Sequence, residues 1–387
     1  MSEFVKNQHY VSQFILKRFA NKSNQVYEFL IPNNRFYITN TNKAMSEKYI
    51  YEHDHLKKNS LESIFSEIEG KFANEFYKIE SYINKQDFQN VARIISSNLY
   101  EILIFYYRSG ALLHEFSSRY DSISQEEKIE LLISKIINID YLIALSQSII
   151  KGYKWSVIKS NNSNFLLSDQ FISTAALSIK GRFLNVSNRQ MGMKDVIILI
   201  PMSKDYYFVF FNGKKPYYLN DYAYSELTDK ETLEINRVIL NNSYKKCIAP
   251  VDTQFENILP YFEKESPSSS FAKYTDGVHK EFIIKKELFF YEEDSSTFEF
   301  IIGGKVFSYR KLKRNDKCKC GSKLKFKKCC HDYVKKAEYT INRMQMLIDQ
   351  REHLAIRNGI CELSIFEITS DEEPKLLKDI KSINNNI

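Results

Sequence analysis

The chain has 387 residues and is 43% hydrophobic, with 28 Phe and 26 Tyr against 11 Gly and 7 Pro. That composition builds a core and excludes disordered, collagen-like and turn-dense repeat architectures; the length fits two to three domains of ~150 residues. The net charge of +7 is uneven, because residues 305–336 hold thirteen Lys or Arg against two Asp, making that window +11 and the remainder about −4.

The N-terminus MSEFVKNQHY lacks a basic-then-apolar signal pattern. Within NQHYVSQFILKRFA, residues 7–20, Val11, Phe14, Ile15 and Phe19 fall at helical spacing. NQVYEFLI and RFYITNTN then alternate as a hairpin around the turn PNN. NSLESIFSEIEGKFANEFYKIESYI, residues 59–83, reads as an amphipathic helix, with Ser60 as N-cap and Leu61, Ile64, Phe65, Ile68, Phe72 and Phe76 on one stripe. Helical patterns follow near residues 87–117 and 125–152, completing a helical block. Its most apolar stretch, NLYEILIFYYRSGALL, carries Glu101 and Arg108, whereas a membrane span needs ~20 mostly apolar residues. No membrane partner is expected, and the protein is placed in the cytoplasm.

After Trp155 the texture becomes strand-like, in WSVIKS, NFLLSDQFIS, DVIILIPMS and DYYFVFFNG. A helix is expected over residues 226–246, with Leu233, Val238 and Ile239 on one face. ESPSSS, residues 265–270, reads as a linker. Strands are then expected in EFIIKKELFFYEE and FEFIIGGKVFSYRKL, a helix from Asp332 to about Arg357, and a disordered tail.

Cys318, Cys320, Cys329 and Cys330 crowd into CKCGSKLKFKKCC. Reduced, clustered thiols are metal ligands rather than disulfides, and four thiolates on a short loop meet the tetrahedral demand of zinc. With four protein ligands the site is structural, and the metal supplies the stability that so small a loop lacks. Gly321 provides the turn after the second cysteine. The stretch NDKCKCGSKLKFKKCCH resembles the SEC-C motif, departing from it at Lys323, where Gly is usual, and Phe326, where Tyr is common. The resemblance implies the same four cysteine ligands, with His331 adjacent as a competitor for the fourth position. It also implies a docking module for protein or nucleic acid rather than a catalyst. Lys311, Lys313, Arg314, Lys323, Lys325, Lys327 and Lys328 are the candidate phosphate contacts, against the plainer reading of a solvated lysine-rich surface.

His9, Tyr10, Val11, Gln13, Leu16 and Phe19 also resemble the opening of an uncharacterised bacterial domain family, His-Tyr-Val-Pro-Gln-x-Tyr-Leu-x-x-Phe. The family's later features are met by Glu69 on a helix, by Ser168-Asp169 after an apolar strand, and by ILIPMS. Ser12 and Phe171 stand where that family has proline. The likeness spans roughly residues 7–250 and implies an association with phage-defence neighbourhoods, without an established activity.

His9, Gln13, Glu69 and Asp169 are the candidate catalytic residues. They can converge as acid–base groups or as ligands for Mg2+ or Mn2+, or equally as a buried polar network pinning the first helix to the sheet. No Gly-rich phosphate loop, Gly-x-Ser-x-Gly elbow or His-Glu-x-x-His accompanies them.

The expected architecture is α+β: a helical block plus a mixed β-sheet with a small C-terminal zinc knuckle. The expected units are a core over 1–264, a linker and strand-rich segment over 265–310, the basic knuckle with its helix over 311–358, and a tail over 359–387. The expected function is nucleic-acid-directed, on DNA or RNA, as a metal-dependent phosphodiesterase of phage-defence type. The alternative is a non-catalytic adaptor binding nucleic acid or a partner protein.

Overall fold

The computed structural model describes residues 5–109, 124–136, 139–179, 191–192, 195–262, 268–275, 278–285, 288–302, 308–340 and 342. The chain opens with a short strand, β1 (Asn7–His9), and not with a helix; only α1 (Gln13–Leu16) and the 3-10 turn Lys17–Phe19 are helical there. The expected hairpin is present as β2 (Gln25–Leu30) and β3 (Arg35–Asn40). A strand missed in the sequence, β4 (Ser46–Lys48), pairs antiparallel with β1.

The long helix α2 (Ser60–Asn84) buries Leu61, Phe65, Phe72, Phe76 and Ile79, the stripe its spacing implies. Asn59, not Ser60, occupies the N-cap, and Ser60 turns its hydroxyl back to the Lys57 carbonyl at 2.5 Å. The pattern around residues 87–117 is split into α3 (Phe88–Ser97) and α4 (Leu99–Arg108). Asn98 breaks it, since its side-chain amide donates to the Ile94 carbonyl at 2.8 Å and competes with the backbone ladder. Helices α5 (Gln125–Ile136) and α6 (Ile139–Gly152) complete the helical block.

A five-stranded mixed sheet follows. It is built from β5 (Lys154–Ser160), β7 (Ser173–Ala176), β8 (Val196–Pro201), β9 (Tyr206–Asn212) and β10 (Ala223–Leu227), in the order β10-β5-β9-β8-β7. Only β10 and β5 run parallel. Every residue of β8 is buried, which is why VIILIP reads as a continuous apolar run without alternation.

Helix α7 (Asp229–Asn242) starts on a capping box between Thr228 and Glu231 and buries Ile235, Val238 and Ile239. The strands β6 (Leu167–Ser168) and β11 (Lys246–Ala249) extend the hairpin into a second sheet, ordered β3-β2-β11-β6. Helix α8 (Thr253–Ile258) closes this part of the chain. One apolar cluster joins Phe19, Phe29, Phe72, Phe105, Phe208 and Ile239, so both sheets and the helical block share a core.

Ser268–Ser270 open a strand, β12 (Ser268–Thr275), paired with β13 (Val278–Lys285); the rest of the expected linker lies outside the described residues. FEFII is helical and ends α9 (Glu292–Ile302), against the strand expected from its apolar run. Glu292, Glu293 and Asp294 in the first turn favour the helix through its dipole. A last helix occupies residues 331–340. Its expected continuation to Arg357 and the tail lie outside the described residues. Among the described residues no helix is long and apolar enough to cross a membrane.

Candidate functional site

The cysteine knuckle is built by short-range backbone bonds. Cys318 donates to the Leu324 carbonyl at 2.8 Å and Phe326 to that of Asp316 at 2.7 Å, closing a small hairpin. Gly321 sits at φ +85° in its turn, the left-handed conformation the sequence required. Lys323 also has positive φ, at 60°, where the motif usually has glycine. A 3-10 turn, Phe326–Lys328, then carries Cys329 and Cys330 to the start of the last helix. Beneath lies a small apolar cluster of Tyr309, Cys318, Phe326 and Val334.

The four sulfur atoms all lie within 4.8 Å of one another, with Cys320–Cys329 at 3.3 Å and Cys329–Cys330 at 3.7 Å. A tetrahedral zinc with Zn–S of ~2.3 Å separates its sulfurs by about 3.8 Å, so the thiols fit that metal. The Ser322 hydroxyl lies 3.1 Å from Cys329 Sγ, and Ser322 lowers the Cys320 thiol to about 6, while burial and then the neighbouring thiols hold the Cys330 thiol above its ordinary value. His331 does not join the set; its Nδ1 lies 2.8 Å from Asp332 Oδ1. Around the knuckle, Lys311, Lys313, Arg314, Lys323, Lys325, Lys327 and Lys328 are all exposed.

The core candidates divide into two groups. Around Arg108, His9, Gln13 and Glu69 come together. Arg108 Nη2 donates to the His9 carbonyl at 2.8 Å and forms an ion pair with Glu69 Oε1. Gln13 Nε2 lies 3.5 Å from His9 Nε2. The Arg108 side chain is 2% exposed, and its guanidinium lies 4.8 Å from the Phe65 ring centroid. Among the described residues its Nε and Nη1 have no hydrogen-bond partner. Burial, and then the Arg108 charge, hold the His9 imidazole below its usual 6.5, while Glu69 and the backbone at Asn42 and Thr41 pull less strongly the other way. His9 is therefore a neutral ring on a strand.

Asp169 stands in a different setting. It is fully buried, and its carboxylate accepts the backbone N–H groups of Tyr244 at 3.0 Å, Lys245 at 2.8 Å and Lys246 at 3.0 Å. Beside it Glu28, also fully buried, accepts from Met45 N at 2.9 Å and pairs with Lys246 Nζ at 3.1 Å. Asp169 acts on Tyr10, next to His9 in the chain, whose buried hydroxyl is pushed up first by desolvation and then by the Asp169 charge. Among the described residues the four cysteines are the group of His, Cys, Asp or Glu placed to share one ion; the core acids form no second one.

Sequence reasoning missed Arg108 and Gln8 as parts of this cluster. Gln8 is fully buried; it donates to Glu52 and accepts from Tyr51 N, both at 2.8 Å. The signal for Arg108 was its position in an apolar helix, where a cation is buried only with partners.

Fold and site together define an α+β protein carrying a four-cysteine metal knuckle. Residues 7–252 match the family described as protein of unknown function, DUF4238, and residues 314–332 match the SEC-C motif. The first match covers more than half of the chain, so the protein belongs to the DUF4238 family. No curated protein and no solved structure matches it.

Proposed function

We propose that this protein binds nucleic acid through the basic face of its zinc knuckle. One observation carries the reading. Seven Lys and Arg side chains between residues 311 and 328, in and just before the cysteine loop, are all exposed, and none forms an ion pair among the described residues. Four thiolates around Zn2+ leave a charge of about −2. Seven cations exceed what that requires, and the surplus suits a phosphate backbone.

The test is binding of labelled duplex DNA, single-stranded DNA and RNA across a salt series. Replacing Lys323, Lys325, Lys327 and Lys328 by Gln should weaken binding and flatten the salt dependence, whose slope is ~0.9 per phosphate contact on duplex DNA. Unchanged affinity and slope would leave protein docking as the use of the patch.

A second reading, phosphodiester hydrolysis of phage-defence type, draws support from His9, Gln13 and Glu69 gathering at Arg108. Mg2+ or Mn2+ in such sites is commonly held by one or two carboxylates together with substrate phosphates. Incubation of the same labelled nucleic acids with Mg2+, Mn2+ or EDTA decides it: cleavage that needs metal and is lost in His9→Ala supports an enzyme, and intact substrate under every condition supports a binder.

A further inference from the structure

The knuckle is joined to the core by a bridge with two faces. Strand β7 is the last strand of the five-stranded sheet, and its edge is covered by residues 288–290. The Ala176 N–H donates to the Leu288 carbonyl, and the Phe290 N–H donates to the Ala176 carbonyl, both at 2.8 Å. Phe289 forms a small apolar cluster with Ala176 and Ile179. Arg237 of α7 donates to the Phe290 carbonyl, fastening the segment from the other side.

Helix α9 follows directly. Phe298 packs on Phe289 with ring centroids 5.0 Å apart. Phe300 packs on Tyr309 at 5.7 Å and on Tyr333 at 5.0 Å. Two positions on a helix are about 200° apart, so Phe298 and Phe300 project from opposite faces. One face grips the strap on the sheet edge and the other grips the knuckle. Tyr309 in turn stacks on Phe326 at 5.8 Å, above the cysteines. Among the described residues the knuckle's buried apolar cluster is Tyr309, Cys318, Phe326 and Val334, with Phe300 and Leu312 packed against it. So small a cluster does not hold its shape without the metal.

We propose that metal at the cysteine centre governs whether the 288–290 strap stays on the edge of the main sheet. Loss of the metal dissolves the Tyr309–Phe326 platform, frees the Phe300 face of α9, and leaves the strap with one anchored side. The main-chain groups of β7 then open to solvent. The inference depends on the thiols' fit to zinc and is independent of nucleic-acid binding.

Amide hydrogen exchange on the full-length protein tests it, because the Ala176 and Phe290 amides report the strap directly. Removing the metal with a chelator should speed exchange at both by at least about tenfold while Val209, in the middle of β9, keeps its protection. Unchanged exchange at Ala176 and Phe290, with only residues 308–340 deprotected, would overturn the proposal. Loss of protection at Val209 as well would also overturn it, since the effect would then be global unfolding. Phe300→Ala supplies an independent arm. Elemental analysis should still find bound zinc, yet Ala176 should exchange at the metal-free rate and respond no further to chelator. Slow exchange at Ala176 in that variant would show that α9 does not transmit the coupling.

Discussion

Arg108, at the end of α4, holds the backbone carbonyl of His9 at 2.8 Å although 99 positions separate them in the chain. The same nitrogen binds Glu69 on α2, and the Arg108 carbonyl accepts the Tyr51 hydroxyl at 2.8 Å. The Arg108 side chain thus ties the first strand to α2, and its main-chain carbonyl holds the segment before α2. Phe65 lies under the guanidinium, so the two nitrogens without hydrogen-bond partners among the described residues sit beside an aromatic face.

Arg108→Met should therefore cost about 3 kcal/mol, because it takes the donor from the His9 carbonyl and the cation from the partly buried Glu69 carboxylate. Arg108→Lys should recover little of this, since an ammonium cannot reproduce a planar fork over a ring. Glu69→Gln should cost less, as Glu69 is 27% exposed and water already shares its load. Denaturant unfolding of the three variants checks the order; equal losses in all three would contradict it.

The two positions where this chain departs from the family's prolines should respond oppositely to proline. Ser12 has φ −57° and no partner for its N–H among the described residues, so Ser12→Pro should be neutral or stabilising by ~0.4–1 kcal/mol. Phe171 has φ +66°, which proline cannot adopt, and its N–H donates to the Ser168 carbonyl at 3.0 Å. Phe171→Pro should destabilise by more than ~3 kcal/mol, or prevent folding. Similar melting temperatures for the two variants would refute the backbone argument.

What was legible depended on length and locality. The α2 stripe could be read because its apolar residues repeat through 25 positions. Strand β11, Lys246–Ala249, is four residues long and shows no period of its own; it forms because β2 and β6 flank it. The knuckle was legible because its ligands lie within thirteen positions and its turn chemistry is local. The core cluster was only half legible. His9, Gln13 and Glu69 were singled out, but Arg108 sits in an apolar run that gives no hint of partners on β1 and α2. Asp169 was chosen for its place after a strand, and nothing local revealed that three backbone amides would enclose it.

Those three amides define the next expectation. Asp169→Asn keeps shape but turns an NH2 towards donors and removes a charge-assisted acceptor. A loss of ~2–4 kcal/mol is expected, read as a fall in melting temperature. Nucleic-acid binding measured well below that temperature should persist. Wild-type stability with lost binding or cleavage would instead make Asp169 a functional group.

His9 gives a pH signature. Its folded pKa is below 6.5, so just beneath that pH the unfolded chain takes up a proton that the folded chain refuses. The unfolded state then binds more protons, and stability falls as pH falls. Between about pH 7 and pH 5 the wild type should lose more stability than His9→Gln. Glu62, whose carboxyl burial holds above 4.5, works in the opposite sense but is present in both proteins and cancels. Parallel curves would show that the ring is not held neutral by the fold.

The knuckle's two left-handed positions should move metal affinity in opposite directions. Gly321, at φ +85°, has no atom within 4 Å of where a Cβ would stand, so Gly321→Ala adds backbone strain without a clash. Lys323, at φ +60°, carries that strain already and is exposed, so Lys323→Gly relieves it. A left-handed residue with a Cβ costs ~1–2 kcal/mol. Because such a loop folds on its metal, that energy appears in zinc affinity, at roughly tenfold per 1.4 kcal/mol. Elemental analysis should first find one zinc per chain, lost on replacing Cys318 and Cys320 by Ser. Competition against a chromophoric chelator should then show Gly321→Ala weaker than wild type by roughly fivefold or more, and Lys323→Gly tighter by a similar factor. Lys323→Gly also removes one cation of the basic face, so tighter zinc with weaker nucleic-acid binding in the same variant would separate the fold of the knuckle from the use of its surface.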